Sequence, residues 1–261
     1  MDLRDIRAFI FDLDGCVYTG NSLVPGVAEV LARLRGQGRA VAFLTNNSRE
    51  SGEELRGKLT RLGIPAAAEE ILSGAAAAAP YLLERFGPSP VLTTGSETLR
   101  RLLTAAGHRL VPLEAYRDAR VVLVGHDFDF DYRRLTALSR AVAGGAAFVA
   151  VNLDARLPVE DGEFYPGCAG IVEAVAATAG VRPEVIGKPE PPLFRQTLAR
   201  LGVEPSQAVM VGDSLFSDIA GARRAGLFAI WLNPDGLPAD PQRTPDLAIR
   251  SFAELLPLLS R

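Results

Sequence analysis

The sequence is short of several residue types on which large protein classes depend. It has 2 cysteines among 261 residues, Cys16 and Cys168. They read as small packing residues, and a redox role stays open only because each lies in a motif-like loop. No apolar stretch is long enough to span a bilayer; "AVAGGAAFVAV" is among the longest. Asp2 and Asp5 precede any apolar run, which is wrong for a secretory signal, so the expected location is a reducing cytoplasm. The formal net charge is only -3 and no basic run stands out, so nothing points to nucleic acid or to a membrane. There is no Walker loop and no G-x-G-x-x-G, so nucleotide cofactors have no support. Fixed-period repeats, low-complexity tails and long linkers are missing too. Lysine is nearly absent: of 28 basic residues only Lys58 and Lys188 are lysines.

What the chain does have is 48% apolar residues, ample for a packed core, at a length that fits one large domain or two modest ones. "RAFIFDLD" and "RAVAFLTNN" are apolar runs that fit strands buried on both faces. "PGVAEVLARLRGQG" places Val27, Val30, Leu31 and Leu34 at helical spacing and closes on glycines. A second helix is expected over "SRESGEELRGKLTRLGI", starting at Ser48 or Ser51 and stopped by Gly63. Near the C-terminus, a strand end and a helix from about Pro191 are expected in "EVIGKPEPPLFRQTLARLG", followed by the strand, acidic loop and helix of "QAVMVGDSLFSDIAGARRAG". The βαβα order implies an α/β fold with a parallel, Rossmann-like sheet and right-handed crossovers. Residues 88–181 read as a smaller αβ domain inserted into a domain formed by 1–87 and 182–261.

Four polar clusters follow predicted strands: Asp12/Asp14, Thr45/Asn46/Asn47, Lys188, and Asp213/Asp218. In an open α/β sheet the strand carboxyl ends form the ligand crevice, so parallel neighbours would bring all four together. Clustered carboxylates need a cation, and an oxygen-only donor set suits Mg²⁺. A carboxylate can also act as a nucleophile, and phosphoryl transfer chiefly requires charge neutralisation, which Mg²⁺, Lys188 and the Thr45 hydroxyl could supply. Plainer readings stand beside these. The Asp12–Asp14 pair could be a turn, Asn46 and Asn47 turn formers, Thr45 an ordinary strand end, Asp218 a first-turn helix acid and Lys188 a solvated loop residue. A lysine kept in an arginine-rich chain argues against the last.

The segments "DLDG", "LTNNS", "GKPEP" and "GDSLFSD" resemble, in order and strand context, the four motifs of the haloacid dehalogenase (HAD) phosphatase superfamily. The insert between the second and third motifs resembles subclass IIA, which includes NagD, 4-nitrophenylphosphatase-like enzymes, pyridoxal phosphatase and phosphoglycolate phosphatase. The resemblance covers nearly the whole chain. It implies an α/β HAD core with an inserted cap and an Mg²⁺-dependent hydrolysis of a small phosphomonoester, for example phosphoglycolate, glycerol phosphate or 4-nitrophenyl phosphate. By that resemblance Asp12 is the nucleophile and a metal ligand, and Asp14 is the acid/base and lends the metal its carbonyl. Thr45 and Asn46, with Asn47 beside them, and Lys188 hold the phosphoryl group. Asp213 ligates the metal, with Asp218 supporting it. The subgroup's specificity loop corresponds to "NLDARLPVEDG", where many relatives have Pro in place of Leu153. Arg156 and Leu157 stand where pyridoxal phosphatases carry a histidine, and Arg156 is expected to read a second anionic group on the substrate. Caps of this subgroup often make dimers, which implies a homodimer through the cap. Asp14 argues against dehalogenation, since dehalogenases lack a second acid. A phosphotransferase or phosphomutase using the same intermediate is the alternative, and a receiver domain would be half this length. His126 and Asp127 are expected to shape a cap loop, and His108 to lie at the surface.

Overall fold

The computed structural model describes residues 3–158, 163–238 and 240–259. The chain divides into two compact units. The first comprises Met1–Thr45, Gly52–Leu72 and Lys188–Arg261, the second Asn46–Ser51 and Ser73–Gly187.

The first unit is built on a six-stranded sheet. Its order is Leu247–Ile249, Phe228–Leu232, Ala208–Gly212, Ala8–Phe11, Ala40–Thr45, Ile71–Ser73. Ala8–Phe11 runs parallel to both of its neighbours, Ala208–Gly212 and Ala40–Thr45. The central strands are apolar along their whole length because helices cover both faces, so neither face tolerates polar side chains. Phe9, Ile10 and Phe11 are all fully buried. The Phe11 ring lies 6.5 Å from that of Phe43 and 6.2 Å from that of Phe252. The helix Val27–Gly36 buries Val27, Val30, Leu31 and Leu34, as its spacing predicts. The next helix spans Gly52–Arg61. From Ala8–Phe11 the strand order proceeds outward in both directions, and such a reversal opens a crevice at the carboxyl ends.

The second unit has its own five-stranded sheet, ordered Glu184–Val185, Ala147–Ala150, Val121–Val124, Pro90–Thr94, Arg109–Leu110, with parallel pairing throughout. A two-stranded antiparallel hairpin, Arg156–Pro158 with Phe164–Pro166, follows the Ala147–Ala150 strand. Residues 159–162 of the expected specificity loop lie outside the described residues. Among the described residues no helix is long and apolar enough to cross a membrane.

Three expectations meet a different arrangement. The boundaries at 88 and 181 fall inside the second unit. Glu184–Val185 pairs with Ala147–Ala150 rather than with the first sheet, and the helix Gly74–Phe86 is tied to that strand by Tyr81 Oη and Arg85 Nη2, which donate to the Glu184 carboxylate at 2.8 and 3.0 Å. Lys188 therefore does not follow a strand of the first sheet. His108 is buried, not at the surface. Its Nδ1 accepts from Ser89 N at 3.3 Å, which leaves Nε2 to donate to Ala79 O at 3.3 Å. His108 thus pins the Gly74–Phe86 helix to the segment entering the Pro90–Thr94 strand. Replacing His108 with Ala leaves the buried Ser89 N–H without this acceptor and removes the tie to Ala79 O, and is expected to cost about 1–3 kcal/mol of stability without lowering turnover. Urea denaturation monitored by circular dichroism, beside kcat, checks this; an unchanged midpoint would refute it.

Candidate active site

Asp12 follows the Ala8–Phe11 strand directly, and its backbone N donates to Val211 O at 2.9 Å, continuing the parallel ladder into the site. Leu13 is fully buried in the core while Asp14 is exposed, so the alternation of extended chain turns both acids away from the core. Gly15 then adopts φ +91°, a backbone shape that favours glycine, and a Cβ there would run into the Asp213 carboxylate. Gly15 N donates to Tyr18 O at 2.8 Å, closing the turn.

The centre of the site is Lys188. Its Nζ donates to Asp12 Oδ1 at 2.5 Å, Asp218 Oδ1 at 2.6 Å and Leu44 O at 3.0 Å. The lysine is buried, as are Asp12 and Asp218. Asp213 begins the loop after the Ala208–Gly212 strand, and its carbonyl accepts from Trp231 Nε1 at 2.9 Å. Asp218 reaches back under this loop. Its Oδ2 accepts from Ser214 N at 3.1 Å, and a Cβ at Gly212 would collide with its carboxylate. With Lys188 on one oxygen and a backbone N–H on the other, Asp218 is suited to a supporting role.

The electrostatics follow from this crowding. Carboxylate oxygens of Asp12, Asp213 and Asp218 lie within 4.8 Å of one another. Burial, countered by Lys188 but reinforced by Asp218 and Asp213, holds the Asp12 carboxyl well above its usual range. Burial and Asp218 push Asp213 up to about 6, and Asp14 adds to the effect. Lys188 would lose charge on burial alone, but Asp12 and Asp218 outweigh this and raise it above the ordinary lysine value. One ammonium thus stands against three clustered carboxylates and bonds two of them. The remaining negative charge and the all-oxygen donor set fit a hard divalent cation such as Mg²⁺.

The second predicted cluster is split by the chain's own division. Thr45 is the buried last residue of its strand in the first unit, whereas Asn46 and Asn47 belong to the second. Asn46 Nδ2 donates to Asp154 Oδ1 at 3.0 Å, and Asn152 Nδ2 donates to Asn46 O at 2.6 Å. Asn47 serves a turn: its Oδ1 accepts from Arg49 N and Glu50 N at 2.8 and 3.0 Å, and its Nδ2 donates to Glu50 Oε2 at 2.8 Å. Arg156 is exposed and its guanidinium lies 4.1 Å over the Phe164 ring. Leu157 is paired with Tyr165 on the opposite face of the hairpin, and the Tyr165 ring is 5.3 Å from Phe128. Both cysteines are buried packing residues. Burial and Asp12 drive the Cys16 thiol up, and burial takes Cys168 to about 12, so neither readily forms a thiolate. Asn152 and Asp154 were not singled out in the sequence, although an Asx-type Asn-x-Asp turn after a predicted strand was visible there.

A family model described as haloacid dehalogenase-like hydrolase matches residues 9–109, and a second HAD-hydrolase-like model matches residues 185–255. The chain is 35% identical to an acid sugar phosphatase of Staphylococcus saprophyticus, covering 83% of this chain and 82% of that one. It is 33% identical to the glycerol-3-phosphate phosphatase of Homo sapiens over 98% of this chain and 92% of that one. Among solved structures, a 4-nitrophenylphosphatase from Thermotoga maritima superposes with a TM-score of 0.87 at 28% identity, covering 97% of each chain.

The raised Asp213 carboxyl has a consequence for stability. A carboxyl that binds its proton more tightly when folded stabilises the protein at low pH and loses that contribution as pH rises from about 4 through about 6. In EDTA at pH 7.5, Asp213→Asn is expected to melt above the wild type, with the gap closing as pH falls below 5. Thermal denaturation at both pH values checks this, and a variant that melts lower at pH 7.5 would contradict it.

Proposed function

The chain belongs to the haloacid dehalogenase superfamily and is a hydrolase of phosphate esters, and from that premise we propose that it cleaves a small phosphomonoester through an aspartyl-phosphate on Asp12, with Mg²⁺ as cofactor. The observation that carries this reading is Lys188 bridging Asp12 and Asp218, with Asp213 beside them. Asp12, Asp213 and the Asp14 carbonyl would hold the metal, supported by Asp218; the ion would supply charge neutralisation on the phosphoryl oxygens.

The chain's own residues account for the remainder. A carboxylate oxygen of Asp12 attacks phosphorus as the ester P–O bond breaks, and Asp14 gives its proton to the leaving alcohol. Asp14 then takes a proton from water as the water oxygen attacks the same phosphorus, releasing phosphate and restoring Asp12. Lys188, Thr45 and Asn46 bind phosphoryl oxygens. Lys188 also holds Asp12 in one orientation, so little ordering remains for the reaction step. The names of the similar proteins support sugar phosphates, glycerol phosphate and 4-nitrophenyl phosphate as substrate classes, and phosphoglycolate stays among them through Arg156.

Phosphate release from such a panel, with Mg²⁺ or EDTA, tests this for wild type and Asp12→Asn. Release that requires Mg²⁺ and falls at least about a thousandfold in Asp12→Asn is expected. Activity persisting in that variant would overturn Asp12 as nucleophile, and no release from any ester would overturn hydrolysis by water in favour of an acceptor-dependent transfer. Arg156→Ala is expected to lower the preference for phosphoglycolate over 4-nitrophenyl phosphate, and an unchanged ratio of kcat/KM would remove Arg156 from substrate reading.

A further inference from the structure

The short segment Asn46–Ser51 follows Thr45 directly but belongs to the second unit, and loops of that unit hold it at nearly every residue. Ala75 N donates to Asn47 O at 3.0 Å, and His126 N donates to Ser48 Oγ at 3.0 Å. Ser96 Oγ donates to Arg49 O at 2.7 Å, and Ser73 Oγ to Glu50 O at 2.6 Å. These bonds account for the path of the chain, since each ends on its backbone or on a side chain beyond Asn47.

Asn46 is held differently. The loop after the Ala147–Ala150 strand grips it twice. Asn152, itself buried, gives its Nδ2 to the Asn46 carbonyl, while its Oδ1 accepts from Asp154 N at 3.0 Å. Asp154 then takes the Asn46 side-chain amide on its carboxylate. Ala169 N donates to Asp154 O at 3.1 Å, and Gly167 N donates to Ala155 O at 2.8 Å, so the loop is braced from behind by the start of the Cys168–Ala179 helix. Gly187 closes the other side: a Cβ there would sit 2.7 Å from Asn46 Oδ1. The carbonyl bond alone would fix the backbone. The second bond, to a charged acceptor, orients the amide, and that orientation matters only to what the amide touches.

We infer that Asp154, braced by Asn152, is a positioning residue that sets the Asn46 amide for the phosphoryl group. The loop that leads into Arg156 and Leu157 thereby also sets a phosphoryl-binding group, so the recognition of the leaving group and the alignment of the phosphoryl group share one continuous segment. This rests on the reading that Asn46 binds a phosphoryl oxygen.

A double-mutant cycle of Asn46→Ala and Asp154→Ala tests it, with kcat and KM on 4-nitrophenyl phosphate and inhibition by inorganic phosphate as readouts. Asp154→Ala is expected to lower kcat about tenfold or more, with KM changed less and phosphate inhibiting more weakly. In the Asn46→Ala background the same substitution is expected to cost less than about twofold. Asp154→Asn keeps an oxygen acceptor and is expected to recover most of the loss. Equal costs in both backgrounds would overturn the inference, because a loop that only shapes the leaving-group pocket acts independently of Asn46. If circular dichroism shows that Asp154→Ala does not fold, Asp154→Ser completes the cycle with the same criteria. An active wild type with a fully active Asn46→Ala overturns the inference through Asn46 itself, whereas an inactive wild type would instead sink the phosphatase reading.

Discussion

The site depends on a buried ammonium shared by two carboxylates and a carbonyl. Lys188 Nζ, Asp12, Asp218 and Leu44 O come from four separate stretches of chain: Leu44 and Asp12 at strand ends, Lys188 in a loop and Asp218 in the helical turn Leu215–Ile219. Removing one charge from such a cluster leaves the others buried and uncompensated, a far larger cost than the net worth of any surface ion pair. Asp213 adds a third carboxylate to the cluster, and among the described residues Lys188 is the one ammonium hydrogen-bonded there. The metal-free protein therefore carries repulsion that either a proton on Asp213 or a bound cation would relieve. Without a cation, that unrelieved charge opposes folding, so the metal-free fold favours a neutral group at Asp213.

Two glycines make this crowding sterically feasible. Gly15 and Gly212 lie where a Cβ would enter the carboxylates of Asp213 and Asp218. The acids can pack against bare backbone, close enough to share one ion, only because those positions lack side chains. The same economy recurs at Gly187 beside Asn46. The backbone approaches each polar group, and the side chain that would have intervened is missing.

Much of this was legible in the sequence. The central strands showed themselves as unbroken apolar runs because both faces of the sheet are covered, and the acids stood out because they interrupt those runs at the carboxyl end. Lys188 was conspicuous against a background of arginine. What periodicity cannot reveal is which sheet a short strand joins. Glu184–Val185 reads as an ordinary strand end, and its assignment to the second sheet rests on pairing with Ala147–Ala150 and on the Tyr81 and Arg85 contacts to Glu184, which are long-range. His108 was misjudged for a related reason: its partners Ser89 N and Ala79 O lie 19 and 29 residues away, and nothing local in the sequence announces them, whereas the turn that Asn47 makes with Glu50 N is local and stood among the open readings.

The retention of lysine at 188 has a geometric reason that composition alone hints at. An ammonium carries three hydrogens on one small tetrahedral nitrogen, and three acceptors surround this one at 2.5, 2.6 and 3.0 Å. A guanidinium spreads five hydrogens over three nitrogens in a plane, so it would meet Asp12 and Asp218 edge-on and leave donors facing buried apolar neighbours. Arginine suffices wherever the partner is a single carboxylate at the surface, as at Arg85 with Glu184. At the convergence of two buried carboxylates and a strand carbonyl, only the compact point charge satisfies all three at once. A chain that otherwise uses arginine almost throughout has lysine at 188, where the geometry permits nothing else.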